Sequence, residues 1–240
     1  MTLGSAVGST IDRTVGSIKL VTVRENLLVD NDQTAARIHD RVTAANVLTV
    51  NVMASPGAGK TSLIVRTIGG LQGRARVGVI EGDIAGSIDA EKVLAAGATD
   101  AVQINTGGNC HLEAGMVDRA LDDIDLDAVD ILLLENVGNL VCPTHWELGE
   151  HLKLCLVGAA EGHDKPVKYP QMFSIADVIV LNKTDLIEHV DFDRAQFTES
   201  VRALNPKAPI FELSCRTGEG LEAWTAWLLG QRATVHGESA

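Results

Sequence analysis

The sequence predicts an α/β fold with a doubly wound, mainly parallel sheet of seven strands. Seven apolar, β-branched runs alternate with helical patterns along the 240 residues, as is typical of parallel strands buried on both faces. Apolar residues make up 45% of the chain but aromatic residues only 3%, so Val, Leu, Ile and Ala must fill the core. Polar motifs follow the strand ends, where such sheets bind ligands.

The elements follow in chain order. Residues 1–20 are rich in Gly, Ser and Thr and predict a flexible tail. Residues 21–46 predict an N-terminal helical extension, whose helix either packs on the domain or pairs with a second copy of the chain. A main domain at 47–230 and a tail at 231–240 follow. The first strand ends at Met53, and six more are expected at 76–81, 100–104, 130–135, 152–157, 177–181 and 209–213. Helices are expected from Ser62 and at 90–96, 112–121, 192–204 and 220–229.

Composition excludes several classes of function. The net charge of −12 repels polyphosphate, so no binding to nucleic acid is expected. The chain shows no run of about 18 apolar residues and no signal segment at its start, so we expect a cytoplasmic protein that does not bind membranes. In that compartment cysteines are thiols or metal ligands, not disulfides. The chain has four of them, Cys110, Cys142, Cys155 and Cys215.

The loop after the first strand reads Ala-Ser-Pro-Gly-Ala-Gly-Lys-Thr from Ala54 to Thr61. A strand, a Gly-rich loop, Lys-Thr and a helix together predict a phosphate-binding P-loop, although an ordinary turn is the alternative and Ala54 replaces the usual first Gly. Lys60 would reach the β- and γ-phosphates, and the Thr61 hydroxyl would bind Mg²⁺. The residues expected to contact the nucleotide here are Gly57, Ala58, Gly59, Lys60, Thr61 and Ser62.

A second motif, Asn-Lys-Thr-Asp at 182–185, ends the sixth strand. The Asp185 carboxylate can accept hydrogen bonds from two donors of guanine, a pair that adenine lacks, so the motif favours GTP and GDP over adenine nucleotides. Asn182 can meet the other base edge, and the stem of Lys183 can cover the ring. A backbone N–H near Ser214 and Cys215 can reach the guanine oxygen. A surface turn is the alternative.

Two acidic strand ends complete the predicted nucleotide site. Asp83 would hold Mg²⁺ or orient the attacking water, and Glu135 would bind Mg²⁺ through water, unless both are helix caps. The Gly138 N–H would sense the γ-phosphate. With Lys60, these two acids are the expected catalytic residues. No arginine finger is evident, so slow hydrolysis is expected.

A third group of residues predicts a site for a soft metal. Cys110 and His111 are adjacent after the third strand, and Cys142 follows the fourth. Thiolate and imidazole suit Zn²⁺, Ni²⁺ or Cu. Three ligands are one short of a closed tetrahedral site, which two copies facing across a two-fold axis would complete. His145 is a candidate extra ligand. The alternative is two buried cysteines and a surface histidine.

Taken together, these motifs resemble the hydrogenase maturation nickel-insertion GTPases of the HypB family. The resemblance rests on ASPGAGKTS, EGD, NTGGNCHL, ENVGNLVCP, KYPQMF and NKTD, within residues 21–229. It implies a P-loop GTPase of the signal-recognition-particle class, a nucleotide-dependent homodimer, and Ni²⁺ or Zn²⁺ at the dimer interface. It also implies nickel delivery to the [NiFe]-hydrogenase large subunit with a zinc-containing accessory protein. The metal residues of the family correspond to Cys110, His111 and Cys142.

The nucleotide residues of the family correspond to Gly57, Gly59, Lys60, Thr61, Asp83, Glu135, Asn182 and Asp185. Only seven positions separate Glu135 from Cys142. Loss of the γ-phosphate would therefore move a metal ligand. Three rival functions are a urease-accessory GTPase, whose metal motif is Cys-Pro-His, a metal-independent regulatory G-protein, and a kinase. The chain lacks the N-terminal Cys motif or His tract that some family members carry.

Overall fold

The computed structural model describes residues 23–83, 88–235 and 237; the predicted tail at 1–20 lies outside them. The strands are β1 (Leu48–Ala54), β2 (Val77–Asp83), β3 (Asp100–Asn105), β4 (Ile131–Glu135), β5 (Leu152–Gly158), β6 (Val178–Asn182) and β7 (Ile210–Glu212). They form one sheet in the order β3-β2-β4-β1-β5-β6-β7, and all six pairings are parallel. The predicted doubly wound sheet with a helix before its first strand is confirmed.

The helices are α1 (Val23–Ala44), α2 (Lys60–Leu71), α3 (Ile88–Ala95), α4 (Ala114–Ala120), α5 (Lys165–Lys168), α6 (Pro170–Ile175), α7 (Arg194–Leu204) and α8 (Leu221–Val235). Helix α4 is shorter than predicted because a 3-10 turn takes over at Leu121. Helix α7 begins at Arg194 because the Asp193 side chain accepts the Gln196 N–H at 2.9 Å and caps it. Helices α5 and α6 were not predicted.

The last helix extends beyond its predicted end. Helix α8 continues to Val235 instead of ending at 229. A guanidinium N–H of Arg232 lies 2.8 Å from Oδ1 of Asp130, just before β4, and this ion pair holds the last turn on the domain. The sequence around Arg232 gives no sign of this contact, because Asp130 lies 102 positions earlier in the chain.

The core lies on both faces of the sheet. Val50 and Val52 of β1 point to one face, which α2, α3 and α8 cover. Met53 points to the other face, where one apolar cluster lies under α6 and α7 and a second lies under α1 and α4. This alternation follows from the two-residue period of a strand.

Helix α1 packs on the domain, which is the first of the two arrangements that its sequence pattern allowed. Ile38 and Val42 are buried against α4 and the sheet. The buried Asn31 accepts the Ala114 N–H at 2.8 Å and donates to the Glu147 carbonyl at 2.8 Å. The helix therefore joins the start of α4 to the loop before β5. In the described part of the chain, no helix has the length and apolar character needed to cross a membrane.

Candidate functional site

The P-loop lies between β1 and α2, at the carboxyl edge of the sheet. Gly57 and Gly59 have φ of +79° and +104°, a region that side chains other than glycine rarely adopt. A Cβ on Gly59 would lie 2.5 Å from Nδ2 of Asn182, so the close approach also requires glycine. Ala54 is the last residue of β1 and does not have a positive φ, which explains how it replaces the usual first Gly.

A cavity of about 610 Å³ opens beside this loop. It brings together most of the residues that the sequence predicts for phosphate and Mg²⁺ binding. They are Gly57, Gly59, Lys60, Thr61, Ser62, Asp83, Glu135, Gly138 and Lys183. Sequence reasoning missed Glu81 and Lys92, which also line the cavity. Glu81 lies beside Glu135 in the β2–β4 register, a relationship that only the strand order reveals.

The carboxylates and one hydroxyl of the cavity fit a Mg²⁺ ion. The Thr61 hydroxyl donates to Oε1 of Glu135 at 3.1 Å, and Glu135 is 8% exposed. Asp83 is exposed at the end of β2 and lines the same cavity. Oxygen ligands of this kind are those that Mg²⁺ prefers.

Gly138 lies directly against the P-loop. A Cβ at this position would lie 3.1 Å from the N, Cα and Cγ atoms of Pro56. The segment that follows β4 is therefore in contact with the loop that would hold the phosphates.

A second cavity of about 280 Å³ lies on the other side of Gly59 and has the composition expected for a base site. It is lined by Gly59, Ser62, Asn182, Lys183, Asp185, Leu186, Cys215 and Arg216. The Ser214 hydroxyl donates to Oδ1 of Asp185 at 2.6 Å, which fixes the carboxylate. Lys183 has φ of +62° and its Nζ donates to the Gly57 carbonyl at 2.6 Å.

Two predicted base contacts have other partners in the structure. Asn182 is 1% exposed; it donates to the Ala58 carbonyl at 3.0 Å and accepts the Cys215 N–H at 3.1 Å. Asn182 therefore holds the P-loop against the loop after β7, which leaves its second N–H hydrogen and the second lone pair of Oδ1 for a base. The Cys215 N–H is bonded to Asn182 here, and the prediction that a backbone N–H of this segment reaches guanine stays a prediction. Residues 214–218 all lie in the described part of the chain, and four of their backbone N–H groups have acceptors within the protein. The N–H of Arg216 is the one without such an acceptor.

The three predicted soft-metal ligands also come together, within one chain. The ligand atoms of Cys110, His111 and Cys142 all lie within 4.8 Å of one another. In a tetrahedral site with metal–ligand bonds of about 2.0–2.3 Å, neighbouring ligand atoms are about 3.3–3.8 Å apart, so a small closure would suffice. His145 is not part of this cluster; it is exposed, and its Nδ1 lies 3.5 Å from Nε2 of Gln171.

Side chains around the cluster orient its ligands. The His111 ring stacks on Trp146 with centroids 4.6 Å apart, and its buried Nε2 has no hydrogen-bond partner and lies 3.8 Å from Oε1 of Glu113. This leaves Nδ1 facing the Cys110 sulfur at 3.6 Å. Nδ2 of Asn139 donates to the Cys142 sulfur at 3.3 Å. A carboxylate on the far ring nitrogen is the usual support of a metal-binding histidine.

The protonation of the cluster suits a metal that displaces protons. Burial lowers the pKa of His111, which favours the neutral imidazole that metals require. A hydrogen bond with the Cys142 sulfur, together with burial, raises the pKa of the Cys110 thiol. A metal would therefore displace the thiol proton when it binds.

Comparison with known proteins agrees with this geometry. Residues 48–212 match the family described as CobW/HypB/UreG, nucleotide-binding domain. The hydrogenase maturation factor HypB of Azotobacter vinelandii is 44% identical over 216 residues, which cover 90% of this chain and 71% of that protein. This chain belongs to the HypB family. The hydrogenase/urease maturation factor HypB of Helicobacter pylori is 37% identical over 220 residues, which cover 90% of this chain and 90% of that protein.

Solved structures give the same assignment. The crystal structure of HypB from Helicobacter pylori in complex with nickel matches with a TM-score of 0.81 and 36% identity, covering 85% of this chain and 96% of that one. The signal recognition particle 54 kDa protein of Aeropyrum pernix, solved with GDP, matches at 15% identity and a TM-score of 0.55, which shows a shared fold. The expected likeness to the fold of signal-recognition-particle proteins is thus confirmed.

Proposed function

We propose that this chain is a GTP-hydrolysing metallochaperone that dimerises with GTP and inserts nickel into [NiFe]-hydrogenase during its maturation. The observation that carries the proposal is the short segment 135–142. It begins at Glu135 in the phosphate cavity, passes Gly138 against the P-loop, and ends at Cys142 in the thiol–imidazole cluster. A change at the γ-phosphate therefore has a direct covalent path to a metal ligand.

The nucleotide site supports Mg²⁺-dependent hydrolysis of GTP to GDP. The P-loop backbone and Lys60 would hold the phosphates, and the Asp185 carboxylate would select guanine. Thr61, Asp83 and Glu135 would hold Mg²⁺, which when bound offsets charge on the β- and γ-phosphates. Asp83 would also orient the attacking water. Slow intrinsic turnover is expected, because no arginine of the described residues lines the cavity.

The cargo would be Ni²⁺ or Zn²⁺. Each chain supplies Cys110, His111 and Cys142, which is one ligand short of a closed tetrahedral set. Two chains meeting at this face would complete the coordination, so metal and GTP would both favour the homodimer. The nickel complex of the Helicobacter pylori relative supports nickel.

The names of the relatives support a proposal for the protein that receives the nickel. Those proteins are hydrogenase maturation factors, so we propose the [NiFe]-hydrogenase large subunit as recipient and a zinc-containing nickel-delivery protein as a second partner. The Helicobacter pylori relative is also named for urease, which makes urease maturation a second candidate. We further propose that 47–230 forms the GTP-binding domain and 21–46 its helical extension.

A titration of Ni²⁺ into the protein tests the proposal. The GDP form and a form with Mg²⁺ and a non-hydrolysable GTP analogue would be compared by calorimetry, with light scattering for dimer formation. Tighter Ni²⁺ binding and more dimer are expected with the analogue. Cys142→Ser should abolish the difference, whereas Cys155→Ala, which removes a fully buried thiol of β5 outside the cluster, should keep it. Equal Ni²⁺ affinity and equal dimerisation in both forms would refute the proposal. A wild-type pattern in Cys142→Ser would favour the metal-independent G-protein.

A further inference from the structure

Three buried polar side chains, Asn136, Asn51 and Glu150, are joined by hydrogen bonds. Nδ2 of Asn136 donates to Oδ1 of Asn51 at 3.2 Å, and Nδ2 of Asn51 donates to Oε1 of Glu150 at 3.0 Å. Asn51 is 0% and Asn136 1% exposed, and the Glu150 side chain is equally buried. Polar groups buried this deeply are costly unless their partners are fixed, so such a chain has one preferred arrangement.

Asn136 also holds backbone groups of both segments that carry metal ligands. Its Oδ1 accepts the N–H of Leu112 at 3.0 Å, and Leu112 directly follows His111. The same oxygen accepts the N–H of Val137 at 3.0 Å, at the start of the turn that leads through Gly138 to Cys142. One side-chain oxygen therefore ties the Cys110–His111 arm to the Cys142 arm.

The position of Asn136 also links it to the nucleotide cavity. It directly follows Glu135, which accepts the Thr61 hydroxyl, and its own N–H donates to the Val52 carbonyl of β1 at 3.1 Å. Strand β1 runs into the P-loop. Asn136 is thus adjacent in sequence to Glu135, a predicted Mg²⁺ ligand, and hydrogen-bonded to Leu112, which follows His111.

We propose that Asn136 is the positioning residue that transmits the nucleotide state to the metal ligands. This inference rests on the proposed function and adds to it a specific contact. When residues 135–138 shift with the γ-phosphate, they move Cys142 through the covalent backbone. The same shift moves Cys110 and His111 through the hydrogen bond from the Leu112 N–H to Asn136. Both arms then move together, so the cluster opens or closes as a unit.

Asn31 provides a matched control. It too is a buried asparagine that joins the two arms, from the Ala114 N–H to the Glu147 carbonyl, but it lies on α1 and its two side-chain hydrogen bonds go to residues outside 135–138. Asn31→Ala should loosen the cluster without touching the path from the nucleotide. Asn136→Ala should loosen the cluster and break that path.

The experiment measures Ni²⁺ affinity by chelator competition in the GDP form and in the form with Mg²⁺ and a GTP analogue. The ratio of the two affinities is the readout, because a purely structural role would lower both affinities and leave their ratio unchanged. Asn31→Ala is expected to weaken Ni²⁺ binding about threefold to tenfold in both forms, as for a lost buried hydrogen bond. Asn136→Ala is expected to bring the ratio close to one.

A wild-type ratio in Asn136→Ala, or a ratio lost equally in both variants, would overturn the inference while leaving the proposed function intact. A ratio of one in the wild-type protein would instead refute the coupling in the proposed function and this inference with it. If Asn136→Ala does not fold, amide hydrogen exchange at Leu112 of the wild-type protein decides. Its protection should differ between the two nucleotide forms, and equal protection alongside different Ni²⁺ affinities would overturn the inference.

Discussion

The Thr61 hydroxyl donates to Oε1 of Glu135 at 3.1 Å, so the residue after the P-loop lysine is tied to the end of β4. The two residues are 74 positions apart, and parallel pairing of β1 with β4 brings them together. In a nucleotide-bound protein the same pair would flank Mg²⁺, and it would relay the occupation of the phosphate site to the segment that leads to Cys142.

The first prediction concerns this pair. Thr61→Ala should raise the Mg²⁺ concentration for half-maximal GTP hydrolysis about tenfold or more, since a bond between a hydroxyl and a charged group contributes about 1.5–3 kcal/mol. Thr61→Ser keeps the hydroxyl and should stay within about threefold of the wild-type value. The measurement is phosphate release against Mg²⁺ concentration, and an unchanged Mg²⁺ requirement in Thr61→Ala would exclude Thr61 as a ligand.

The second prediction concerns the base. Asp185→Asn should weaken GTP binding about 100-fold, because an amide cannot accept both guanine donors, and should improve binding of xanthosine triphosphate, whose 2-carbonyl can accept from the amide. Competition with a fluorescent GTP analogue measures both affinities. Asp191→Asn removes the same charge at an exposed position outside the base cavity and is the control. Equal losses for the two nucleotides in Asp185→Asn would argue against recognition of the base edge by this carboxylate.

The third prediction concerns the contact of Gly138 with the P-loop. In Gly138→Ala the added methyl group would press against Pro56 at 3.1 Å and displace the segment after β4. Affinity for a GTP analogue should fall about tenfold, as for a lost charge-assisted hydrogen bond, while affinity for GDP should change little. Calorimetry with each nucleotide checks this.

Gly69→Ala is its control. It adds the same methyl group on an exposed part of α2 where nothing lies within 4 Å, and it should stabilise the helix slightly without changing either affinity. An equal loss of GDP affinity in Gly138→Ala would show a general distortion of the P-loop instead of a γ-phosphate effect.

The sequence predicted the fold because this fold depends on local and repeating signals. Runs such as 131–134, fully buried on both faces, cannot belong to a half-exposed sheet, and the P-loop fixes where the first crossover begins. Element ends were less predictable when tertiary contacts set them. Helix α8 extends past Leu229 because Arg232 meets Asp130, a contact between distant parts of the chain.

The sequence indicated candidate site residues by their chemical type, but it did not show which groups each of them contacts. Cys110, His111 and Cys142 were candidates from their chemistry, yet only the packing of two loops brings them within reach of one ion. Asn136 and Asn31 gave no signal, because a buried asparagine that holds backbone groups looks in sequence like any exposed asparagine. Asn182 was predicted as part of the base-binding motif, but a motif does not show which acceptor its amide finds in the folded chain.

The last prediction concerns stability against pH. Asp130 accepts hydrogen bonds from Arg76 at 2.7–3.2 Å and one from Arg232 at 2.8 Å. Burial alone would raise the pKa of Asp130, but these hydrogen bonds and charges outweigh it and lower the pKa to about 2. Because the folded pKa lies below the unfolded value of about 3.9, the charged carboxylate stabilises the fold above about pH 4. That stabilisation is lost as the pH falls from about 4 to about 2.

Asp130→Asn should therefore lower the free energy of unfolding by about 1–2 kcal/mol at pH 7, a modest value because solvent screens the partly exposed Arg76. The difference from wild type should shrink as the pH falls below about 4. Urea unfolding at several pH values measures it. Asp122→Asn, which breaks the exposed pair with Arg41 at 3.0 Å, should cost less than about 0.5 kcal/mol at any pH. A difference for Asp130→Asn that stayed constant from pH 6 to pH 3 would mean that side-chain packing, and not the charge of Asp130, holds the end of α8 on the domain.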